Sequence, residues 1–262
     1  MKTLRAFLIP IGLLLILPSC SKIDASEGES STKRFEVEDF DKIRIETAGV
    51  LNYTQSSVRN VEVSANDKIM KLIEIEVIEN TLVISLSKNR VITNEENLIF
   101  TVSDDDVYSI ETSGSANVNA NFDEGHDFEL LELISSGSGN IEMDAMNAEN
   151  SFMTSSGSGD IHLQTVNVAN KVSVNQNGSG NVSISGSCYE LDLTISGSGN
   201  YGEHDFIAEK VVANLSGSGN AKVSVSYDLN ASLSGSGNLT FKGNPILMAT
   251  STSGSGQVID GN

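Results

Sequence analysis

From Arg34 onward, hydrophobic and polar residues alternate in short runs, and almost every run has the period of a strand. Lys42 to Glu46, Val61 to Ser64, Ile73 to Ile78, Thr81 to Leu86 and Leu98 to Val102 are β-branched stretches, the pattern of a half-buried strand. Asp67 to Leu72 offers apolar residues at helical spacing and predicts one helical turn, whereas Asn89 to Asn97 reads as a polar loop. No long amphipathic helix is encoded, so alternating strand–helix architectures are excluded.

In the second half the alternation acquires a punctuation mark. Ser-Gly-Ser-Gly-Asn or a near copy begins at Ser113, Ser136, Ser156, Asn177, Ser196, Ser216, Ser234 and Ser253, at spacings of 23, 20, 21, 19, 20, 18 and 19 residues. A fixed period near twenty means that one strand–corner–strand unit is stacked repeatedly. The predicted fold is all-β: a single-stranded parallel β-helix with rungs of about 20 residues, right-handed by the hand of parallel crossovers. A β-sandwich does not account for the period.

The phase of the alternation runs through the motif. Leu191, Leu193, Ile195, Gly197 and Gly199 share one parity, as do Val211, Ala213, Leu215, Gly217, Gly219 and Ala221, and Leu229 to Phe241 repeats it. If the chain stays extended, the glycines face the core and let opposite walls approach. Ser136, Ser138, Asn140, Ser196, Ser198, Asn200, Ser216, Ser218, Asn220, Ser234, Ser236 and Asn238 then form an outward polar ladder, with the amides bonding from rung to rung. In the competing picture the glycines supply positive φ in turns. The extended form is favoured.

The first twenty residues are of another kind. Lys2 and Arg5 precede an apolar run from Ala6 to Leu17, closed by Pro18, Ser19 and Cys20. The run is too short for a membrane span and reads as a secretory signal over residues 1–19. Its end resembles a bacterial lipobox, with Cys20 the acylated first residue of the mature protein, although Pro18 departs from the usual pattern. Ser21 in place of an aspartate favours the outer membrane. Residues 20–33, rich in Ser, Glu and Gly, are expected to be a flexible tether, with a β-helical domain over 34–262. Within that domain 34–112 should form irregular first coils and 113–262 the regular repeats.

Charge and composition then narrow the function. Loss of Lys2 and Arg5 with the leader removes two positive charges and takes the formal net charge from −19 to −21. So acidic a domain does not seek nucleic acid or anionic head groups. With Cys20 lipidated, Cys188 has no partner and is expected to be a small buried filler. The absence of tryptophan implies an aliphatic core of Val, Ile, Leu and Ala.

Phe40-Asp41-Lys42-Ile43-Arg44-Ile45, Val61-Glu62-Val63 and Glu79-Asn80-Thr81-Leu82-Val83-Ile84, followed by the serial motif, form an ordered set of landmarks. Over Phe35 to Asn262 the chain resembles the head GIN domain family, described as putative auto-transporter adhesins and abundant as lipoproteins of Bacteroidetes-type bacteria. The resemblance implies a β-helical domain with no established activity and no catalytic residues to carry across. An auto-transporter needs a C-terminal membrane barrel. This sequence closes on Gln257 to Asn262, so the lipid is the expected anchor.

Catalysis and metals fare poorly on the residues themselves. A polysaccharide lyase on a β-helix, the alternative class of function, resembles its kin in pairing calcium carboxylates with an Arg or Lys base. No arginine follows Ser113, and only Lys171, Lys210, Lys222 and Lys242 remain. Asp144, Asp160, Glu190, Asp192, Asp205 and Glu209 could supply a hydrolase pair, but none recurs. Calcium β-rolls repeat every nine residues with aspartate; here the position is asparagine in most copies, and Asp160 is the acidic exception. Asp104 to Asp106 and Asp123-Glu124 are expected as solvated loops, and His126, His162 and His204 as surface residues. No enzyme, cofactor or metal is therefore expected.

Two roles stand for the outer face. It docks a repetitive ligand, such as a glycan or cell-surface polymer, through many weak hydrogen bonds, or Ser and Asn are simply small residues suited to tight solvated ladders. The final strand, Val258-Ile259, has no evident cap and predicts weak end-to-end dimers.

Overall fold

A computed structural model describes residues 22–87, 91–122, 127–202 and 205–262. The structure is nearly all-β, with 63% strand and 3% helix. β1 (Lys22–Asp24), β2 (Ser30–Arg34), β3 (Lys42–Ile45), β4 (Val50–Gln55) and β5 (Asn60–Asn66) precede one helical turn, α1 (Asp67–Met70). Then come β6 (Ile73–Ile78), β7 (Thr81–Leu86), β8 (Val91–Thr93), β9 (Ile99–Asp104), β10 (Ser109–Thr112) and β11 (Asn117–Asn121). The repeats are β12 (Asp127–Ser135), β13 (Ile141–Ser155), β14 (Ile161–Gln176), β15 (Val182–Ile195), β16 (Phe206–Leu215), β17 (Ala221–Leu233), β18 (Leu239–Lys242), β19 (Leu247–Thr252) and β20 (Val258–Asp260).

From β10 onward every pairing between neighbouring coils is parallel, as a β-helix requires. The stack has about seven turns. The register fixes its interior. Val118, Ile141, Ile161, Val182, Tyr201, Ala221 and Leu239 fall in one column, and all are buried. Ile110, Leu133, Met153, Val174, Leu193, Ala213 and Ala231 form a second. Each fully buried Leu, Ile or Val contributes roughly 1.5–3 kcal/mol of transfer free energy, and the columns repeat that gain on every rung. Register shifts at Leu163/Val166 and Val168/Lys171 interrupt the ladder within one coil.

The first third is not a set of irregular coils. β3 and β4 are a proper rung, stacked in parallel between β10 and β11 on one side and β7 and β9 on the other, but the strands beyond β7 and β9 run backwards. β6 pairs antiparallel with β7, β5 antiparallel with β9, and β2 antiparallel with β5. For β6 and β7 the cause is local: Glu79 and Asn80 both adopt positive φ (50° and 60°) between Ile78 and its partner Thr81. A two-residue loop of that kind forms a tight hairpin and reverses the chain.

The expected flexible tether is also ordered where it is described. β2 pairs along β5, and β1 pairs in parallel with β8. Buried Asn66 joins the two regions: its Oδ1 accepts from the Lys68 and Ile69 amides at 3.0 Å, capping α1, while its Nδ2 donates to the Asp24 carbonyl at 2.8 Å. Sequence polarity alone did not reveal this, because an edge strand with one face in solvent can be wholly hydrophilic. Nor is the core purely aliphatic. Tyr53, Phe100, Phe122 and Phe128 are buried in the early coils, with Tyr53 5.1 Å from Phe122 and Phe122 5.1 Å from Phe128 between ring centres.

Candidate functional site: the repeated corner

Each motif is a bend between two strands, and its chemistry follows from the coil beneath it. The second serine donates its backbone N–H to the first glycine carbonyl one coil earlier, as in Ser158 to Gly137 (2.9 Å), Ser198 to Gly178 (3.0 Å) and Ser236 to Gly217 (2.9 Å). Stacking this tight leaves no room for a side chain. A Cβ on Gly157 would lie 1.8 Å from the Gly137 carbonyl oxygen, and one on Gly219 would lie 1.9 Å from that of Gly199.

None of the motif glycines is among the residues with positive φ, which removes the turn alternative. The extended picture needs amendment as well. The glycines accommodate the next coil along the axis, not the opposite wall. In each motif the fourth residue, a glycine except for Ala116, is buried, while the first glycine is half-exposed, or exposed at Gly254.

The fifth position carries a second device. Asn200 Oδ1 accepts from the Asn220 amide at 3.0 Å and from its side-chain Nδ2 at 3.1 Å, and Asn181 does the same for Asn200 at 3.0 and 3.2 Å. The chain of bonds continues from Asn117 to Asn140 (3.1 Å), Asn140 to Asp160 (2.9 Å), Asn220 to Asn238 (2.9 Å) and Asn238 to Gln257 (2.9 Å). Asp160 serves as an isostere, accepting from the Asn181 amide and Nδ2 at 2.6 and 3.1 Å. Rung-to-rung amide bonding thus occurs as the sequence suggested, and it occupies the Asn140, Asn200, Asn220 and Asn238 carbonyls with the stack itself.

The serines differ. Ser136, Ser138, Ser196, Ser198, Ser216, Ser218, Ser234 and Ser236 are all exposed at the bend. The Ser196 hydroxyl donates to the Asn177 side chain; the Ser198, Ser216, Ser218, Ser234 and Ser236 hydroxyls point to solvent. They form two rows repeating at about 4.8 Å along the axis. Register brings all of these residues together on one edge of the helix.

The position just before each motif adds a further feature of the corner. Thr112, Ser135, Ser155 and Gln176, each immediately before a motif, are buried polar residues. Thr112 and Ser135 donate to the carbonyls of Ala116 and Gly139, four residues on, at 3.2 Å each, and Gln176 Nε2 donates to that of Gly180. Later coils place Ile195, Leu215 and Leu233 there. The switch from polar to apolar at a single repeat position was visible in the sequence; Thr112, Ser135 and Gln176 brace their corners from inside, whereas the buried Ser155 hydroxyl has no hydrogen-bond partner among the described residues.

The other candidate groups are spread over the molecule. Cys20, the leader, Asp123, Glu124, His126 and His204 lie outside the described residues. Cys188 is buried, and burial pushes its thiol up to about 12. Asp104 is not part of a solvated loop: its side chain is 1% exposed and paired with Arg59 at 2.5 Å, and Arg59 also reaches Asp39. Asp105 and Asp106 are exposed beside it. Glu190 and Asp192 both contact Lys171, at 3.1 and 2.8 Å, and these bonds raise the lysine pKa. Asp144 accepts from Gln164 at 3.0 Å, and Asp205 and Glu209 are exposed. His162 is exposed, with Nδ1 2.6 Å from the Ser183 hydroxyl. Among the described residues no helix is long and apolar enough to cross a membrane.

A corner of this form, repeated over landmarks such as the Glu79-Asn80 hairpin, has known relatives. Residues 39–245 match the family described as putative auto-transporter adhesin, head GIN domain. The chain belongs to that family. Among solved structures it is similar to a putative adhesin from Bacteroides fragilis (24% identity, TM-score 0.64), covering 90% of this chain and 98% of that one. It is also similar to a putative lipid binding protein from Parabacteroides distasonis (21%, 0.77), covering 92% and 100%. A putative adhesin from the same species gives 22% and 0.77, covering 91% and 99%. At these identities the likeness concerns the fold. No curated protein matches.

Proposed function

We propose that the protein is a lipid-anchored envelope adhesin that contacts a repetitive polymer, such as a glycan, through the serine rows of its corners. One observation carries this: within the repeated pentapeptide the glycines and asparagines are consumed by stacking, whereas the serine hydroxyls, those of Ser115 and Ser196 apart, are left to solvent. Each hydroxyl donates and accepts, so a row matches hydroxyl-bearing polymers by many individually weak bonds. Family membership supports the adhesin role. Cys20 is the proposed attachment point and the outer membrane the proposed location. Catalysis forms no part of the proposal.

The test is a glycan array probed with the wild-type chain and with Ser216→Leu/Ser234→Leu. Binding that survives the double replacement contradicts the use of the rows. The proposal includes weak end-to-end pairs through β19, supported by the exposure of Ile246, Leu247 and Met248 (75, 50 and 51%). Sedimentation as a single species at high concentration counts against them.

A further inference from the structure

One outward-facing column of the wall that leads into the corners contains an anomaly. Its residues in register are Glu132, Phe152, Ser173, Asp192, Val212 and Asn230, polar apart from Phe152 and Val212. Phe152 is the aromatic among them and is 46% exposed. A phenylalanine ring held in water on a strand otherwise polar on that face costs hydrophobic free energy that Ser or Asp at the same position does not.

The ring does not stand alone. It borders a depression of about 710 Å³ whose apolar lining continues through Leu130 and Tyr108, above the buried Phe128 ring. The rim is polar: Asp127, Glu129 and Asn150 edge the same hollow. Adjacent to it, Glu132 accepts from the Ser109 hydroxyl at 2.8 Å, which fixes the near wall. The Tyr108 face already carries the Lys42 ammonium, 5.5 Å from the ring centre.

An open hollow of this size, apolar at its base with a few polar groups converging on it, has the form of a small-molecule site. The polar groups specify the ligand. Ionised Asp127 and Glu129 only accept hydrogen bonds, so the ligand must donate them. They also repel carboxylates, phosphates and sulfates, which disfavours fatty acids, anionic lipids and uronic polymers. The Lys42 ammonium over Tyr108 already places a positive charge at the hollow, so a cationic ligand gains less there than a neutral one.

A neutral sugar satisfies every condition. Its C–H face stacks on an aromatic ring, its hydroxyls donate to carboxylates, and the Asn150 amide both donates and accepts. We infer that Phe152, with Tyr108 and Leu130 as its platform and Asp127, Glu129 and Asn150 as its rim, binds a neutral sugar residue of a glycan. This deepens the adhesin proposal and rests on its glycan class. It places a discrete sugar subsite on the wall, separate from the serine rows.

The experiment is calorimetric titration of the full-length chain, purified in detergent, with maltohexaose, cellohexaose and mannohexaose, and with hexagalacturonate as the anionic control. The inference expects at least one neutral oligosaccharide to bind and hexagalacturonate to bind at least tenfold more weakly. Phe152→Ala should weaken binding at least tenfold with an unchanged melting temperature, whereas Phe152→Tyr, which keeps the ring, should stay within about threefold. Binding of none of the neutral probes, tighter binding of hexagalacturonate, or equal binding by Phe152→Ala overturns it. The Ser216→Leu/Ser234→Leu chain separates the two sites. Loss in that chain alone assigns binding to the corners and overturns the wall site; loss in Phe152→Ala alone upholds the wall site and counts against the serine rows.

Discussion

The two ends of the stack are built differently. At the N-terminal end the two walls of the first coil finish in antiparallel strands: β6 closes one against β7, and β5 with β2 closes the other against β9. Buried aromatics fill the space behind them, and the Arg59–Asp104 pair ties the edge. At the opposite end β19 and β20 simply repeat the parallel register of β17 and β18. Met248 occupies the position of buried Leu229, and Thr250 that of buried Ala231, yet every residue of β19 is exposed. A parallel rung can bury its interior only between two others. A reversed strand ends the series because its own outward face can be polar.

The largest effect that sharpens this contrast is a paired truncation. Leu193→Ala, inside the stack, should cost about 3–4 kcal/mol, whereas Met248→Ala should change stability by less than about 0.5 kcal/mol. Denaturant midpoints measure both. Comparable costs would mean that the last rung is covered. Next comes the closed end: Arg59→Ala leaves the buried Asp104 carboxylate without its cation and should cost about 3 kcal/mol. Hydrogen exchange should show the loss first in β5 and β9, not in the repeats.

A smaller effect is chemical and lies in mid-stack. Burial raises the Cys188 thiol to about 12, so the folded state holds its proton where the unfolded chain releases it. Stability is therefore full below about pH 9 and falls as the pH rises toward 12, by roughly 2 kcal/mol near pH 10.5. Buried Tyr201, whose phenol is also pushed up by burial, acts in the same direction. Cys188→Ala should flatten the alkaline decline in a pH series of melting curves. An unchanged slope would show that the thiol is more open than its rung implies.

These differences also mark what could be read from residues alone. Periodicity exposed the β-helix, since the spacing of the motif and the coil register are the same quantity. The inward parity of Leu191, Leu193 and Ile195 is observed, and so is the bonding of asparagine to asparagine. The hairpin was written as Glu79-Asn80, but positive φ at both positions is a backbone property that a lone Asn only hints at. β1 and β2 were hidden because their stabilisation comes from Asn66 and the edge of β5, far along the chain. Phe152 was hidden for a related reason: its parity did not say that Tyr108, two coils' worth of sequence away, would share its hollow.

The central claim is a division of labour inside the pentapeptide, with glycine for stacking and serine for solvent. Its most direct test is the pair of denaturation midpoints for Gly217→Ala and Ser218→Ala. A Cβ at 217 would meet the Gly197 carbonyl oxygen at 2.0 Å, so the first replacement should cost about 1–3 kcal/mol. The second should stay within about 0.5 kcal/mol of wild type. A tolerated alanine at 217, or a serine at 218 as costly as the glycine, would contradict the account.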